Sequence, residues 1–151
     1  MLSSPTMQAP RNTYAITTVT AQRRALLQST INADLLLKTL FQYRDEGRYE
    51  LHGFAIMPEH IHVLLTPSED QTIERCAQCI KGGFSHALPL KPPGGVWQPS
   101  FHQHRMSDAE DFQKQLSYIA QNPTRRHLQN HSWIHTNYPN KIDPIPTHFL
   151  K

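Results

Sequence analysis

Apolar residues recur along the chain at two different periods, which predicts alternating strands and helices. Apolar and β-branched residues dominate Tyr14 to Thr20, which predicts a first strand. From Thr30 to Tyr43 the apolar residues instead recur every three or four positions, which predicts a helix. The segments 49–57 and 60–66 predict two further strands, and the short connection Met57-Pro58-Glu59 between them favours an antiparallel hairpin.

A second helix and a fourth strand follow in the same manner. The pattern Ser68-Glu69-Asp70-Gln71 is typical of a capping box, so we expect a helix to begin there and to run to about Leu88. The pair Gly82-Gly83 is a weak point within it, because glycine is a poor helix former. After a loop rich in proline and glycine, the segment 96–106 predicts the fourth strand.

A last helix is predicted after a second capping-box pattern at Ser107 to Glu110. We expect Asn122-Pro123 to end it, because the residue before a proline avoids helical geometry. The first six elements have the order βαββαβ, which is typical of a ferredoxin-like fold. We therefore predict an α+β protein with one antiparallel sheet, helices on one face of that sheet, and the last helix as an addition to this core.

A chain of 151 residues is long enough for one domain with a substantial core. We expect a flexible N-terminal lead-in at 1–11, the folded domain at 12–138 and a proline-rich tail at 139–151. No segment approaches the roughly 18 apolar residues of a membrane span, and the N-terminus lacks the apolar core of a secretion signal. These features predict a cytoplasmic protein with no membrane partner.

Charge and cysteine content add little to this picture. The formal net charge of +3 is mildly basic and is compatible with a polyanionic partner. Cys76 and Cys79 form a C-x-x-C pattern, but no second pair follows at zinc-finger spacing. Because Ile73, Cys76 and Ile80 share one side of the predicted helix, we interpret the cysteines as core residues rather than a redox pair.

The triplet His60-Ile61-His62 is the most informative feature of the chain. Side chains alternate along a strand, so both imidazoles are expected on one face and Ile61 on the other. Two imidazoles on one face can form half of a divalent-metal site. The alternative is a pair of partly exposed histidines without a shared ligand.

A second pair of candidate residues lies on the last predicted helix. Tyr118 and Asn122 are four residues apart, so they share a face next to the apolar stripe. The Asn122 oxygen could complete a metal site, while the Tyr118 hydroxyl attacks an electrophile that the metal polarises. The alternative is a tyrosine at the edge of the core and an asparagine at the helix end.

These segments together resemble the HUH single-tyrosine transposases of the insertion-sequence type. The run from Met57 to Leu65 resembles the HUH motif, and Tyr118-Ile119-Ala120-Gln121-Asn122-Pro123 resembles the nucleophile segment of the REP-associated tyrosine transposases. The segments 14–24 and 96–102 are similar to the family as well, so the resemblance spans about 12–138.

The resemblance implies a metal-dependent endonuclease and strand transferase that acts on single-stranded DNA through a covalent 5′-phosphotyrosine. It implies Mg²⁺ or Mn²⁺ as the cofactor, His60, His62 and Asn122 as the metal ligands, and Tyr118 as the nucleophile. Gln121 ranks second as a ligand, because it is rotated about 100° from Asn122 around the helix. The implied partner is DNA with a hairpin formed by a REP-like palindrome, in the nucleoid of the cytoplasm.

Affinity for DNA phosphates has to come from basic residues distributed over the surface. The candidates for DNA binding are Arg23, Arg24, Lys81, Arg105, Arg125 and Arg126. Trp97, Phe101 and Tyr14 could stack on unpaired bases, although we favour core or edge packing for all three. His102 and His104 could assist the deprotonation of Tyr118 or could be ordinary surface histidines.

Two other functions are compatible with the same residues. One is a regulator that binds hairpin DNA without cleaving it, and the other is a metal-dependent phosphodiesterase that uses activated water. Insertion-sequence relatives form homodimers, whereas REP-associated relatives tend to act as monomers. The Asn122-Pro123 pair therefore slightly favours a monomer.

Overall fold

A computed structural model describes residues 11–125 and 133–150, which form a four-stranded sheet and three helices. The strands and helices lie along the chain in the predicted order. Their bounds are β1 Tyr14–Val19, α1 Thr30–Asp45, β2 Tyr49–Met57, β3 His60–Pro67, α2 Ile73–Ala87, β4 His102–Arg105 and α3 Ala109–Arg125.

The sheet has the strand order β2-β3-β1-β4, and each neighbouring pair is antiparallel. This order places the two central strands, β1 and β3, next to each other although a helix and a strand separate them in sequence. It is the order that a βαββαβ chain adopts in a ferredoxin-like fold, so the predicted fold is confirmed. The Pro58-Glu59 connection joins β2 to β3 directly, with Met57 paired to His60.

Helices cover both faces of the sheet once α3 is included. The large core cluster contains residues of α1, α2 and one face of the strands, among them Leu36, Phe84 and Ile61. The smaller cluster lies on the opposite face, where Phe112 and Ile119 of α3 pack against the sheet. The added helix therefore closes the face of the sheet that a six-element core would leave open.

The start of α2 differs from the prediction. The helix begins at Ile73, and the Thr72 hydroxyl accepts a hydrogen bond from the backbone N–H of Arg75 at 3.1 Å. The Ser68 hydroxyl instead donates to the Gly47 carbonyl. The capping box proposed at Ser68 was wrong, because this serine joins the end of β3 to the turn before β2.

The end of α3 also differs. Asp108 caps the helix by accepting from the Asp111 backbone N–H at 2.8 Å, one residue later than the expected Ser107 cap. Pro123 lies inside the helix, which continues to Arg125. A proline removes one backbone hydrogen bond from the helix, and here this loss does not force the helix to end at Asn122.

The C-terminal segment packs along the outer edge of β2. The Ile56 backbone N–H donates to the Trp133 carbonyl at 2.9 Å, and the Asp143 backbone N–H donates to the Leu51 carbonyl at 2.7 Å. Asp143 is also held by Arg44, whose Nη2 lies 2.8 Å from the Asp143 Oδ1. Residues of the expected 139–151 tail thus contact the core, while the domain division itself stays a prediction.

The two cysteines of α2 agree with the interpretation as core residues rather than a redox pair. Cys76 is buried in the large cluster and Cys79 is half-buried, and both are free thiols. Burial raises the pKa of Cys76 to about 12, which makes it a poor nucleophile.

Within the described ranges, no helix is both long enough and apolar enough to cross a membrane.

Candidate active site

The two histidines lie side by side on the α3 face of β3, as the alternation predicted. Ile61 between them is fully buried in the core cluster on the other face. The His60 and His62 Nε2 atoms are 3.0 Å apart. His60 is only 9% exposed, whereas His62 is partly exposed, and a ligand shared by the pair stays a prediction.

The other ring nitrogen of each histidine has its own hydrogen-bond partner. His60 Nδ1 lies 2.8 Å from Glu59 Oε1, and His62 Nδ1 lies 2.9 Å from Thr17 Oγ1. Thr17 reaches His62 because the two residues are paired across β1 and β3. Partners of this kind orient histidine ligands in metal sites, where they hold the ring so that Nε2 faces the ion.

Electrostatics keep the His62 imidazole uncharged at neutral pH. Burial, together with the neighbouring His60, lowers the pKa of His62 to about 4. A neutral imidazole has a free lone pair, which is the form that binds metal ions.

The geometry of the pair fits a divalent ion. Neighbouring ligands of an octahedral ion with bonds of about 2.1 Å lie about 3.0 Å apart, and the two Nε2 atoms have this separation. Within 11–125 and 133–150, no three side chains of His, Cys, Asp or Glu are grouped to hold a metal. The carboxamide oxygen of Asn122, a donor of another type, stays the predicted third ligand.

Tyr118 lies beside the histidines on α3. Its ring centroid is 6.1 Å from that of His62, with the two rings nearly perpendicular. Tyr118 is 49% exposed, so the residue is accessible to a large substrate. The fold thus brings together a phenol and an imidazole pair that are separated by more than fifty residues in sequence.

Asn122 follows one turn later on the same side of α3. It is 8% exposed, whereas the neighbouring Gln121 is exposed on the outer side of the helix. The burial of Asn122 supports its higher rank as a candidate ligand. The assignment of Asn122 to the metal stays a prediction.

A small cavity adjoins Tyr118 between α3 and the sheet. Its volume is about 180 Å³, and its walls include His62, Thr17, His102, Gln115 and Tyr118 itself. His104 also lines it.

His104 connects β4 to α3 next to this cavity. Its Nε2 lies 2.8 Å from Asp111 Oδ2. His102 and His104 are both exposed, as expected for surface histidines, yet they face the same cavity as the candidate nucleophile. Their role in deprotonating Tyr118 stays a prediction.

Two of the basic side chains predicted to bind DNA are already hydrogen-bonded to backbone carbonyls of the protein. Lys81 donates to the carbonyls of Gln98 at 2.9 Å and Ser100 at 3.2 Å, and burial lowers the pKa of its ammonium. Arg24 donates to the carbonyl of Pro93. Both side chains therefore hold loop backbone in the structure described here.

The other basic candidates are exposed or lie outside the described side chains. Arg23 is exposed after β1, and Arg105 is exposed on β4. Arg105 pairs with Tyr14 and alternates with His104, which places it on the opposite face of the sheet. The side chain of Arg125 and the whole of Arg126 lie outside the described residues, so these DNA-binding assignments stay predictions.

All three aromatic residues considered for base stacking pack against the large core cluster. Trp97 packs against Phe84 with ring centroids 5.6 Å apart, and its Nε1 donates to the Lys81 carbonyl at 3.0 Å. Phe101 and Tyr14 are partly buried against the large core cluster. The packing alternative therefore describes all three.

Sequence analysis missed Thr17, Glu59 and Gln115 as members of the site. Glu59 could have been found, because it directly precedes His60 and carries an acceptor for an imidazole N–H. Thr17 gave no local signal, since its contact with His62 depends on strand order and register. Gln115 precedes Tyr118 by three residues and thus lies on the same side of α3.

An imidazole pair on a central strand of this sheet thus faces a tyrosine on an added helix. The sequence model described as "Transposase IS200 like" matches residues 9–122, and the chain belongs to this family. The predicted family is therefore confirmed. Its members are transposases, enzymes that cleave DNA and transfer strands, and they use a divalent metal ion.

Two curated relatives have similar sequences. The REP-associated tyrosine transposase of Escherichia coli (strain K12) is 28% identical over 123 residues, which cover 81% of this chain and 69% of the relative. A putative REP-associated tyrosine transposase of Haemophilus influenzae (strain ATCC 51907 / DSM 11121 / KW20 / Rd) is 28% identical over 89 residues. In that case the match spans about half of each protein, 51% of both.

Two solved structures share the fold. A REP-associated tyrosine transposase bound to a REP hairpin has a TM-score of 0.72 at 23% identity, covering 96% of this chain and 90% of the other. A putative transposase from Deinococcus radiodurans R1 has a TM-score of 0.59 at 25% identity, covering 81% of this chain and 97% of the other. Because the first of these matches covers 96% of this chain, that likeness includes α3 as well as the sheet.

Proposed function

We propose that the protein cleaves and rejoins single-stranded DNA with Tyr118 as the nucleophile and with Mg²⁺ or Mn²⁺ at His60, His62 and Asn122. The observation that carries this proposal is the position of Tyr118, whose half-exposed ring lies 6.1 Å from the His62 ring beside two converging Nε2 atoms. When bound, the ion would supply Lewis-acid stabilisation of the charge that develops on the scissile phosphate.

The reaction balances without an external energy source. The Tyr118 oxygen bonds to phosphorus, the bond to the 3′ oxygen of the upstream strand breaks, and the phenol proton leaves as that oxygen gains one. The products are a 5′-phosphotyrosine and a free 3′-hydroxyl. Because the phosphodiester energy is kept in the covalent link, a second 3′-hydroxyl can reverse the step and join new ends.

The Tyr118 proton needs an acceptor, because the hydroxyl must lose it as its oxygen bonds to phosphorus. His102 and His104 face the cavity next to Tyr118, and Asp111 orients His104. These side chains are the candidates within the described part of the site.

Hairpin DNA is the proposed substrate. The E. coli relative is named a REP-associated tyrosine transposase, and the 23%-identical structural neighbour is described as bound to a REP hairpin. Exposed basic residues such as Arg23 would supply salt-dependent contacts to phosphates. Palindromic repeats next to the coding region would identify the natural substrate.

Cleavage of a labelled hairpin oligonucleotide with a single-stranded flank separates the three candidate functions. We expect a protein–DNA adduct that survives denaturation, and its loss in Tyr118→Phe, His60→Ala and His62→Ala. Tyr43→Phe, on the helix α1 of the other face, is the matched control and should retain the adduct. Full cleavage by Tyr118→Phe without an adduct would instead identify a phosphodiesterase, and binding without cleavage would identify a regulator.

The protein is proposed to act as a monomer. The edge of β2 that could pair with a second sheet already bonds to the chain's own C-terminal segment, through Ile56 with Trp133 and Leu51 with Asp143. Light scattering during size-exclusion chromatography should give a mass near 17.4 kDa. A stable dimer mass at micromolar concentration would contradict this proposal.

A further inference from the structure

The turn at 20–24, directly after β1, holds two consecutive residues in the left-handed region of backbone space. Gln22 has a φ of 57° and Arg23 has a φ of 52°. Every other positive φ in the described part of the chain belongs to a glycine, namely Gly47, Gly94 and Gly95. A Cβ makes this conformation unfavourable, so Gln22 and Arg23 each cost free energy that a glycine would not.

Hydrogen bonds with neighbouring segments hold this turn in place. The Arg23 backbone N–H donates to the Thr20 carbonyl at 3.0 Å. The Thr20 hydroxyl lies 2.7 Å from the Arg24 carbonyl oxygen and 3.1 Å from the Glu59 carbonyl oxygen. The Arg24 guanidinium in turn donates to the Pro93 carbonyl. Backbone strain persists only where the surrounding structure enforces it, and these contacts enforce it here.

The side chains of the two strained residues differ in what they do for the fold. Gln22 Oε1 accepts from the Arg24 guanidinium at 3.2 Å, so Gln22 supports the turn. The Arg23 side chain is exposed and has no hydrogen bond or ion pair among the described residues. A glycine in place of Arg23 would allow the same backbone at lower cost. Because the described fold does not use this guanidinium, its chemistry points to a ligand outside the fold.

The turn lies at the end of the sheet where the histidine pair begins. Val19, the last residue of β1, is paired with His60, the first residue of β3. The Thr20 backbone N–H donates to the Glu59 carbonyl at 2.9 Å. Because the two strands are antiparallel, the chain leaves β1 beside the residues that enter β3. The backbone of Arg23 is therefore fixed at the His60 end of the candidate active site.

We propose that this turn holds Arg23 in position to bind a phosphate of single-stranded DNA next to the cleavage position. A guanidinium stays charged and forms paired hydrogen bonds with phosphate oxygens. A fixed backbone lowers the cost of ordering the side chain when DNA binds. The strand at this edge is the one that Tyr118 attacks, so the contact is to the single strand rather than to the hairpin stem. This inference rests on the proposed function, which supplies the cleavage position.

Binding of two oligonucleotides without divalent metal tests the contact. One is the hairpin with a single-stranded flank from the cleavage assay, and the other is the same hairpin without the flank. Arg23→Ala should weaken binding of the flanked hairpin by about 10-fold and leave the unflanked hairpin within about twofold. For the flanked hairpin, the slope of log affinity against log salt concentration should become shallower by about 0.7, as expected for one single-strand phosphate. Fluorescence anisotropy measures both quantities.

Arg75 on α2 supplies the matched control. It is exposed, and its side chain has no hydrogen bond or ion pair within 11–125 and 133–150. Helix α2 packs in the large core cluster, on the face of the sheet away from the histidine pair. Arg75→Ala should change the affinity for either oligonucleotide by no more than about twofold. Equal weakening by Arg75→Ala and Arg23→Ala would mean that overall charge governs binding, which would overturn the proposal.

Substitutions at Gln22 separate the turn from the guanidinium. Gln22→Gly and Gln22→Val both remove the bond to Arg24, but glycine adopts the left-handed conformation readily and β-branched valine opposes it. Gln22→Gly should bind the flanked hairpin within about twofold of the wild type, and Gln22→Val should bind it about 5-fold more weakly. Equal affinities of these two variants would contradict the role of the turn.

The glycine variant of Arg23 separates binding from stability. Arg23→Gly should lose as much affinity for the flanked hairpin as Arg23→Ala does, yet melt no lower than the wild type, because glycine relieves the left-handed strain. A melting temperature below that of the wild type would show that Arg23 serves the fold instead, and the proposal would be wrong.

The outcomes distinguish this inference from the proposed function. A wild-type protein that neither binds the flanked hairpin nor forms an adduct with it would overturn the proposed function, and the role of Arg23 with it. If the wild type does both but Arg23→Ala binds equally well with the same salt dependence, only the role of Arg23 is wrong. Equal weakening on the flanked and unflanked hairpins would place Arg23 at the stem and overturn the contact with the single strand.

Discussion

Replacing Gly53 tests whether close packing of α3 on the sheet sets the position of the nucleophile. A Cβ at Gly53 in β2 would lie 2.5 Å from Leu116 Cδ1, 3.3 Å from His135 Nδ1 and 3.4 Å from Ile119 Cδ1. Carbon atoms pack at about 3.5–4.0 Å, so the first contact overlaps by about 1 Å. Leu116 and Ile119 lie on either side of Tyr118 in sequence, which couples this contact to the active site.

We expect Gly53→Ala to cost about 1–3 kcal/mol, as overpacked cores do. Each kcal/mol lowers the melting temperature by about 2–4 °C in a protein of this size. A displacement of α3 by about 1 Å would slow formation of the DNA adduct by up to about 100-fold, because the nucleophile must be precisely placed. Thermal unfolding and a single-turnover adduct assay measure the two effects.

A double variant isolates the contact. Leu116→Ala removes the atom that a Cβ at Gly53 would meet first, so Gly53→Ala should be less costly in that background. We expect a coupling free energy of at least about 1 kcal/mol between the two positions. The reasoning is refuted if Gly53→Ala has wild-type stability and adduct rate, or if its cost is the same with and without Leu116.

Three further predictions concern stability. Gly82→Ala should stabilise the protein by about 0.5–1 kcal/mol, because a Cβ at Gly82 meets nothing within 4 Å. Gly83→Ala should be less stable than Gly82→Ala, because a Cβ at Gly83 would lie 2.9 Å from Tyr43 Cε2. Equal urea midpoints for the two variants would contradict this. Thr18→Val should stabilise by about 1 kcal/mol in the same assay, since it replaces a buried hydroxyl without a described partner. Burial lowers the pKa of His52 in the folded protein, so the unfolded chain binds more protons and stability should fall as pH falls below about 6.5. In the His52→Gln variant, the free energy of unfolding should depend less steeply on pH. An unchanged pH dependence would count against this cause.

Local patterns predicted the elements because each pattern depends only on neighbouring residues. The alternation around Ile61 placed both histidines on one face, and the structure confirms it with Ile61 buried on the other. The spacing of Tyr118 and Asn122 placed both on one side of a helix for the same reason. Errors occurred where a local signal competed with a tertiary contact, as at Ser68, whose hydroxyl bonds to Gly47 instead of capping α2.

The extent of α3 illustrates a second kind of error. The sequence rule that a helix ends before a proline treats Asn122-Pro123 as a boundary, but the helix continues to Arg125. One lost hydrogen bond in the last turn is a small cost beside the packing of Phe112 and Ile119 on the sheet.

By itself, the amino-acid sequence determined the order of the elements, the side-by-side histidines and the pairing of Tyr118 with Asn122 along one helix. Periodicity alone determines such relations, because side chains a fixed number of residues apart share a face. Only the tertiary structure decided that α3 covers the histidine face of the sheet, that Thr17 reaches His62, and that the C-terminal segment occupies the β2 edge. These relations depend on strand order, register and the packing of distant segments, which no local pattern in one chain encodes.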